Sequence, residues 1–216
     1  MPNGDIFLET PSINNADFFK KYAKKGTVCL FGGIDPLSRV IRDAQALVSL
    51  DGKPSLWSHA AVLIDRREDD CHWLLESDIS LNLKRVQLRN GAQENRVDKY
   101  ADPTKYPNLA ILDFGLDEDN TKRLVGKALD LVVQNVMYPI SGLLGSLISY
   151  AFRSEDRENV LNNPAALYCS AFVKETYLSI NIDLFPGVAT TNTSPDHIYQ
   201  TPVPHKTYLI IRDPQK

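Results

Sequence analysis

Cysteine is scarce in this sequence, and the cysteines present are far apart. Cys29, Cys71 and Cys169 are the three in 216 residues. Their separation predicts neither the close-spaced cysteine pair of a zinc site nor a dense disulfide framework. Unpaired cysteines are typical of proteins made in a reducing compartment. We therefore expect a chain that folds on its hydrophobic core alone and needs no metal or other cofactor.

The sequence also lacks a Sec signal peptide and a membrane-spanning run. Met1–Thr10 has no basic stretch followed by an apolar segment. The most apolar stretch, 138–152, is too short to cross a bilayer and is interrupted by Pro139 and two glycines. We expect synthesis in the cytoplasm without Sec export, no transmembrane segment, and a buried or interfacial helix at 138–152.

An excess of one charge is missing as well. The 24 Lys and Arg residues against 27 Asp and Glu residues give a formal net charge of -3. This near balance argues against nucleic acid as a partner. A hydrophobic fraction of 43% and a charged fraction of 24% are ordinary for a globular protein. The length suits one α/β domain, so we expect residues 1–216 to form a single domain, with a motif-bearing core at about 27–211.

Hydrophobic periodicity predicts a mixture of helices and strands. Apolar residues recur at helical spacing after residues 14, 35 and 119, and short apolar or alternating runs indicate strands. Asn120 or Thr121 can cap the third of these helices. The expected strands cover 27–31, 57–64, 72–77, 110–114 and 207–212.

Cys169 lies in the segment AALYCSAFVKETY, after a turn that contains Asn162, Asn163 and Pro164. The pattern predicts a helix that begins near Tyr168, with Cys169 at its start. Unpaired amides and the helix dipole stabilise a thiolate at such a position, which favours a nucleophile at neutral pH. The alternative is that Cys169 is a small buried hydrophobic residue on an amphipathic helix.

His59 lies at the mouth of an apolar strand, where an imidazole can face a cleft. The next predicted strand, CHWLLES, contains Glu76 near its end, and a hairpin between the two strands would bring this carboxylate to the far imidazole nitrogen. Cys169, His59 and Glu76 would then be nucleophile, base and orienting residue. A structural histidine and a solvated carboxylate are the ordinary alternatives, and Asp78 shares the strand face of Glu76 if the strand continues.

Other candidate groups have less support. His197 follows Cys169 by 28 positions. In papain-like enzymes whose cysteine precedes the histidine, a sheet separates the two residues, and 28 positions leave no room for it. We expect His197 in a loop. The Gly32-Gly33 pair lacks the Lys and Ser/Thr of a phosphate loop. Four further residues have ordinary structural interpretations: His72, His205, Cys29 and Cys71.

Three short motifs, in this order, resemble the circularly permuted branch of the NlpC-type papain-like thiol hydrolases, which includes the YiiX/YebB-like proteins. They are Ser58-His59 followed by an apolar strand, Leu74-Leu75-Glu76-Ser77, and Tyr168-Cys169-Ser170. Two departures exist: Ala60-Ala61 replaces the family's usual glycine, and 115–152 is longer and more apolar than in a minimal member.

The resemblance implies an α+β, papain-like fold in which a small antiparallel sheet packs against helices. It implies that Cys169 attacks a carbonyl carbon, that His59 exchanges the proton, and that Glu76 orients His59. Tyr168 would help to form the oxyanion site beside the Cys169 amide, and the other residues next to the motifs would bind substrate: Ser170, Ser58 and Trp57.

The wider family implies an amidase or endopeptidase that acts on the peptide of bacterial peptidoglycan. Together with the missing signal, it suggests an antibacterial effector delivered by a type VI secretion system to the periplasm of a target cell, with an immunity protein or a secretion-system component as partner. Lipid or acyl-ester hydrolysis, prompted by the apolar 140–152 stretch, is the alternative chemistry. A non-catalytic binding module with vestigial motif residues is the alternative from another class.

Overall fold

Seven strands and five α-helices are present in the computed structural model, which describes residues 4–47, 49, 52–82, 87–134 and 164–213, with the backbone alone for 47, 79–82, 87–90 and 164–168. The strands are β1 (Ile6–Leu8), β2 (Val28–Gly32), β3 (His59–Arg66), β4 (His72–Asn82), β5 (Gln87–Arg96), β6 (Asn108–Asp113) and β7 (Lys206–Ile210). The helices are α1 (Asn15–Tyr22), α2 (Pro36–Ala44), α3 (Glu118–Val133), α4 (Pro164–Leu178) and α5 (Pro195–Tyr199).

All seven strands form one sheet in the order β1-β7-β6-β2-β3-β4-β5. Every neighbouring pair is antiparallel except β1 and β7, which are parallel. The expected α+β class is confirmed, but the sheet is larger than the small, wholly antiparallel one predicted. The difference arises partly at β1, a three-residue strand too short to give an alternating pattern.

Helices and turns cover both faces of the sheet, and each face has its own hydrophobic core. On one face, Phe18 and Phe19 of α1 pack with Cys29 and Phe31 of β2. On the other face, side chains from α3 and α4 pack against the sheet, and Phe172 of α4 is fully buried there. Burying a side chain of this size contributes about 1.5 to 3 kcal/mol relative to leaving it exposed. The two cores hold β2 and β3 rigidly in the centre of the sheet.

Helix caps account for where two helices begin. Asp35 accepts a hydrogen bond from the Ser38 amide and is followed by a proline at the first turn of α2, as the sequence predicts. Asp117 caps α3 by accepting from the Asn120 amide. The prediction of Asn120 or Thr121 as that cap is therefore wrong, because the helix begins earlier and its first turn takes in Glu118.

Across the described residues, no helix has both the length and the apolar character needed to cross a membrane. The apolar stretch 138–152, for which the sequence predicts a buried or interfacial helix, lies outside the described residues.

Candidate active site

The β3–β4 hairpin brings a histidine and a carboxylate together. His59 is the first residue of β3, and Glu76 lies within β4, which pairs with β3 in antiparallel register from Val62 opposite Leu75. The His59 Nε2 atom lies 2.6 Å from Glu76 Oε2. The His59 side chain is 14% exposed, whereas that of Glu76 is fully buried. The predicted hairpin contact between these two residues is present. It uses the Nε2 atom of His59, and the Nδ1 atom of the ring takes no part in it.

Glu76 accepts hydrogen bonds from three further donors. The Tyr100 hydroxyl donates to Oε2 at 2.6 Å, and Oε1 accepts from Asn95 Nδ2 and from Lys99 Nζ, each at 2.6 Å. Burial by itself would raise the pKa of Glu76, but the charges of His59 and Lys99 and their hydrogen bonds outweigh it and hold that pKa well below its usual range. The carboxylate is thus ionised and fixed from four sides.

Asp78, the alternative orienting carboxylate, makes a different contact. Its Oδ2 accepts from Lys99 Nζ at 2.6 Å, and the Asp78 side chain is partly exposed. Lys99 therefore bridges the two carboxylates, and Glu76 is the one that contacts His59.

Cys169 lies on α4, which packs against β3 and β4. Its side chain is 1% exposed and interacts with His59 through charge and a hydrogen bond. Together with the Glu76 contact, this gives an ordered row of Cys169, His59 and Glu76. The three residues predicted as nucleophile, base and orienting residue are thus brought together.

The position of Cys169 within the helix differs from the prediction. The helix α4 begins at Pro164, so Cys169 is its sixth residue and not its first. A proline at the first helical position is tolerated, and the helix therefore begins at Pro164, the last residue of the segment interpreted as a turn. In an α-helix the amide of a sixth residue donates to a carbonyl four residues earlier, so the Cys169 amide proposed for the oxyanion is engaged within the helix.

The protonation of His59 follows from its charged neighbours. Burial lowers the pKa of His59, but the negative charges of Cys169 and Glu76 and the hydrogen bonds to both raise it to about 10. The ring is therefore favoured as an imidazolium at neutral pH. The Nε2 atom of this imidazolium is hydrogen-bonded to Glu76. The ring can therefore release its other proton, the one on Nδ1.

Aromatic rings support this histidine. The rings of Phe31 and Tyr100 are stacked with centroids 3.6 Å apart, and their centroids lie 5.8 Å and 5.9 Å from that of His59. Ring packing limits rotation of the imidazole. The Tyr100 ring is itself held in place, because its hydroxyl donates a hydrogen bond to Glu76.

Three of the residues predicted near substrate are buried. The Ser58 hydroxyl accepts from the Gly33 amide at 3.0 Å and lies 3.2 Å from the Phe31 carbonyl, to which it donates. Trp57 is fully buried and packs against Tyr199 with ring centroids 5.2 Å apart. Ser170 is fully buried, with its Oγ 3.7 Å from Cys169 Sγ. The Tyr168 side chain lies outside the described residues, and a substrate contact for any of the four stays a prediction.

His197 does not lie in a loop, as the sequence predicts, but in the short helix α5. There its Nδ1 accepts from the Ser194 amide at 3.1 Å in a capping box, and its ring contacts Phe185. The prediction was wrong because Ser194 and Pro195 form a helix start that resembles an ordinary Ser-Pro turn.

The two remaining cysteines are not members of the row. Burial holds the pKa of the Cys29 thiol well above its usual value, and Cys71 contacts the Asp98 carboxylate at 3.2 Å.

Sequence reasoning missed three residues of the site: Asn95, Lys99 and Tyr100. They lie on β5 and on the 3-10 turn Val97–Tyr100 that follows it. The register of the β4–β5 hairpin would have placed Asn95 opposite Leu74, on the strand face that Glu76 shares. However, the link between these strands has no Asn-Gly or Asp-Gly pair to mark a turn. Lys99 and Tyr100 carry no sequence signal of their own.

The donor set does not fit a metal centre. Both Glu76 oxygens accept hydrogen bonds from amide, ammonium, phenol and imidazole groups, whereas a ligating carboxylate directs an oxygen at the ion. Within the described ranges, no group of three or more His, Cys, Asp and Glu side chains is arranged to hold a metal ion.

No protein-family model matches this chain, and no curated protein matches it. Among solved structures, it is similar to a crystal structure described as the metalloprotein yiiX from Escherichia coli O157:H7, DUF1105. The TM-score is 0.51 at 13% sequence identity, and the match covers 88% of this chain and 97% of that one. At this identity the likeness concerns the fold alone: the chain has an α+β fold similar to that of yiiX.

Proposed function

We propose that this protein is a cysteine hydrolase that cleaves an amide bond. The row of Cys169, His59 and Glu76, with His59 Nε2 2.6 Å from Glu76 Oε2, carries the proposal. A thiol beside an imidazole that a buried carboxylate holds is the arrangement required for an activated sulfur nucleophile.

The reaction has two halves. In the resting site His59 holds, as an imidazolium, the proton taken from the Cys169 thiol, and the Cys169 sulfur attacks the carbonyl carbon of the amide. His59 then gives that proton to the leaving nitrogen as the C–N bond breaks, which leaves a thioester on Cys169. In the second half, neutral His59 takes a proton from water, the hydroxide attacks the thioester, and the acid leaves as the C–S bond breaks, which returns the Cys169 sulfur to its place beside the protonated His59.

The order of the residues along the chain supports a permuted papain-like enzyme. The histidine comes first, the carboxylate second and the cysteine last, as in the family that the three motifs resemble. The likeness to yiiX is consistent with that family. In this order, a helix late in the sequence supplies the cysteine, and a hairpin much earlier in the sequence supplies the histidine and the carboxylate.

The substrate class comes from the resemblance. We propose that the amide belongs to the peptide of bacterial peptidoglycan, and that the protein acts as an antibacterial effector carried to the periplasm of a target cell. An immunity protein that binds over Cys169 would protect the producing cell.

Digestion of isolated peptidoglycan sacculi tests the proposal. Wild type and Cys169→Ala are incubated with sacculi, and soluble products are identified by mass spectrometry. Cys71→Ala is the matched control, because the Cys71 thiol contacts Asp98 and is not a member of the row. We expect peptide fragments with wild type and Cys71→Ala and none with Cys169→Ala, and the fragments name the cleaved bond.

A parallel incubation with phospholipid vesicles tests the acyl-ester alternative. Free fatty acid released by wild type but not by Cys169→Ala, with intact sacculi, would replace the amide substrate by an ester. Fragments released equally by Cys169→Ala would contradict the cysteine mechanism.

A further inference from the structure

Lys99 joins the two carboxylates of strand β4. Its Nζ atom lies 2.6 Å from Glu76 Oε1 and 2.6 Å from Asp78 Oδ2, and its side chain is 29% exposed. Burial lowers the pKa of Lys99, but the two carboxylates outweigh it and raise that pKa above its usual value. The ammonium is thus a permanent positive charge beside the candidate catalytic carboxylate.

We propose that Lys99 is the positioning residue that keeps Glu76 ionised and directed at His59 throughout the reaction. The charge that Lys99 places beside Glu76 follows from its contacts, whereas the consequence for catalysis rests on the proposed function.

Lys99 differs in kind from the other donors to Glu76. Asn95 and Tyr100 are neutral at physiological pH, so they fix the position of the carboxylate but contribute no formal charge. A buried carboxylate with no cationic partner is strongly disfavoured and tends to take up a proton instead. Besides His59, only Lys99 supplies a compensating charge within hydrogen-bond distance of Glu76 among the described residues.

That difference matters when His59 becomes neutral. After the proton has gone to the leaving nitrogen, the imidazole no longer compensates Glu76. Lys99 remains charged, so Glu76 has little tendency to draw a proton from the histidine or from water. The proton of the attacking water then goes to His59, which needs it for the next step.

Lys99 also neutralises Asp78. Residues two apart on a strand project from the same side of the sheet. Without Lys99, the carboxylates of Glu76 and Asp78 would lie side by side with no positive charge between them. Repulsion between like charges raises the pKa of one of them. The ionisable groups that interact with the charge of Glu76 are Cys29, His59, Lys99, Tyr100 and Tyr106. Asp78 is bound to the other side of Lys99, and Cys169 interacts with His59.

Titration of Glu76 by carboxyl 13C NMR tests the charge. We expect Lys99→Met to raise the titration midpoint of Glu76 by about one pH unit or more, and Lys99→Arg to leave it near the wild-type position. Lys105→Met is the matched control, since Lys105 is 75% exposed and pairs with Asp102. A folded Lys99→Met protein with the wild-type midpoint would overturn the proposal.

Asp78→Asn provides a second test that keeps Lys99 in place. Removing this negative charge leaves Lys99 to Glu76 alone, so the Glu76 midpoint should stay where it is or fall. A rise in Asp78→Asn would show that Asp78, and not Lys99, sets the charge of Glu76, which contradicts the proposal even if Lys99→Met does not fold.

Hydrolysis kinetics separate this inference from the proposed function. Lys99→Met should lower kcat by about tenfold or more with KM unchanged, while Lys99→Arg restores most of the activity. If Lys99→Met is fully active while Cys169→Ala is inactive, the proposed role of Lys99 is contradicted and the proposed hydrolase function stands. The NMR result needs no substrate, so it holds or fails even if no hydrolysis is found.

Discussion

His59 Nε2 lies 2.6 Å from Oε2 of Glu76, whereas Asp78, two positions further along the same strand, is bound to Lys99. The two carboxylates therefore have different partners although they lie on one strand face. One orients the candidate base, and the other is the second partner of Lys99.

Two conservative substitutions separate these carboxylates. Glu76→Gln removes the charge that orients His59 and should lower the rate of amide cleavage by about 100-fold or more. Asp78→Asn, measured in the same hydrolysis assay, should lower it far less, because Asp78 has no contact with His59 among the described residues. Equal losses in the two variants would mean that the orienting role is misassigned.

Tyr100→Phe tests the hydroxyl that donates to Glu76. The substitution keeps the ring stacked on Phe31 and deletes a hydrogen bond to a buried charge. The free energy of unfolding should fall by about 1.5 to 3 kcal/mol, measured by urea denaturation. Tyr106→Phe is the control, since the Tyr106 ring packs edge-on against Tyr100 but does not reach Glu76. A similar loss in the control would assign the effect to packing.

The raised pKa of His59 predicts how stability varies with pH. The folded pKa of about 10 exceeds the unfolded value of about 6.5, so the contribution is complete below pH 6.5 and is lost as the pH rises toward 10. Urea denaturation across this range should show falling stability in wild type and a flatter profile in His59→Asn. The same slope in both proteins would contradict a charged His59 in the folded state.

The buried Lys174 of α4 stabilises the loop that follows this helix. Its Nζ atom donates to the carbonyls of Phe185 at 2.8 Å and Val188 at 2.5 Å, and lies 2.9 Å from Asp183 Oδ1. Lys174→Met should reduce the free energy of unfolding by about 3 kcal/mol, because these acceptors lose a charged donor.

Lys127→Met is the control for Lys174→Met in the same denaturation experiment. Lys127 of α3 makes a more exposed ion pair with Glu175 of α4, so its removal should cost less than about 1 kcal/mol. A large loss in the control, or none in Lys174→Met, would contradict this account of the loop.

Local patterns predicted the parts of the site that depend on short segments. The strands that carry His59 and Glu76 follow from their apolar runs, and their closeness in the sequence favours a hairpin between them. These patterns could not place Lys99, because its position depends on the β4–β5 register and on a 3-10 turn, both of which are set by packing across the sheet.

The beginning of α4 was mispredicted for a similar reason. Asn163 and Pro164 favour a turn in isolation, and the helix nevertheless starts at Pro164. Tertiary contacts of α4 with β3 and β4 stabilise the longer helix. The sequence therefore identified the residue Cys169 but not its location in the second turn of the helix.

Alkylation of the cysteines by iodoacetamide at pH 7, followed residue by residue with mass spectrometry, tests the central claim most directly. Cys169 and Cys29 are equally buried, each 1% exposed, so accessibility alone predicts equal rates. We predict that Cys169 reacts about tenfold faster or more, and that His59→Ala removes the difference. Equal rates in the wild type, or a fast Cys169 that is indifferent to His59→Ala, would contradict an activated thiol and leave Cys169 a core residue.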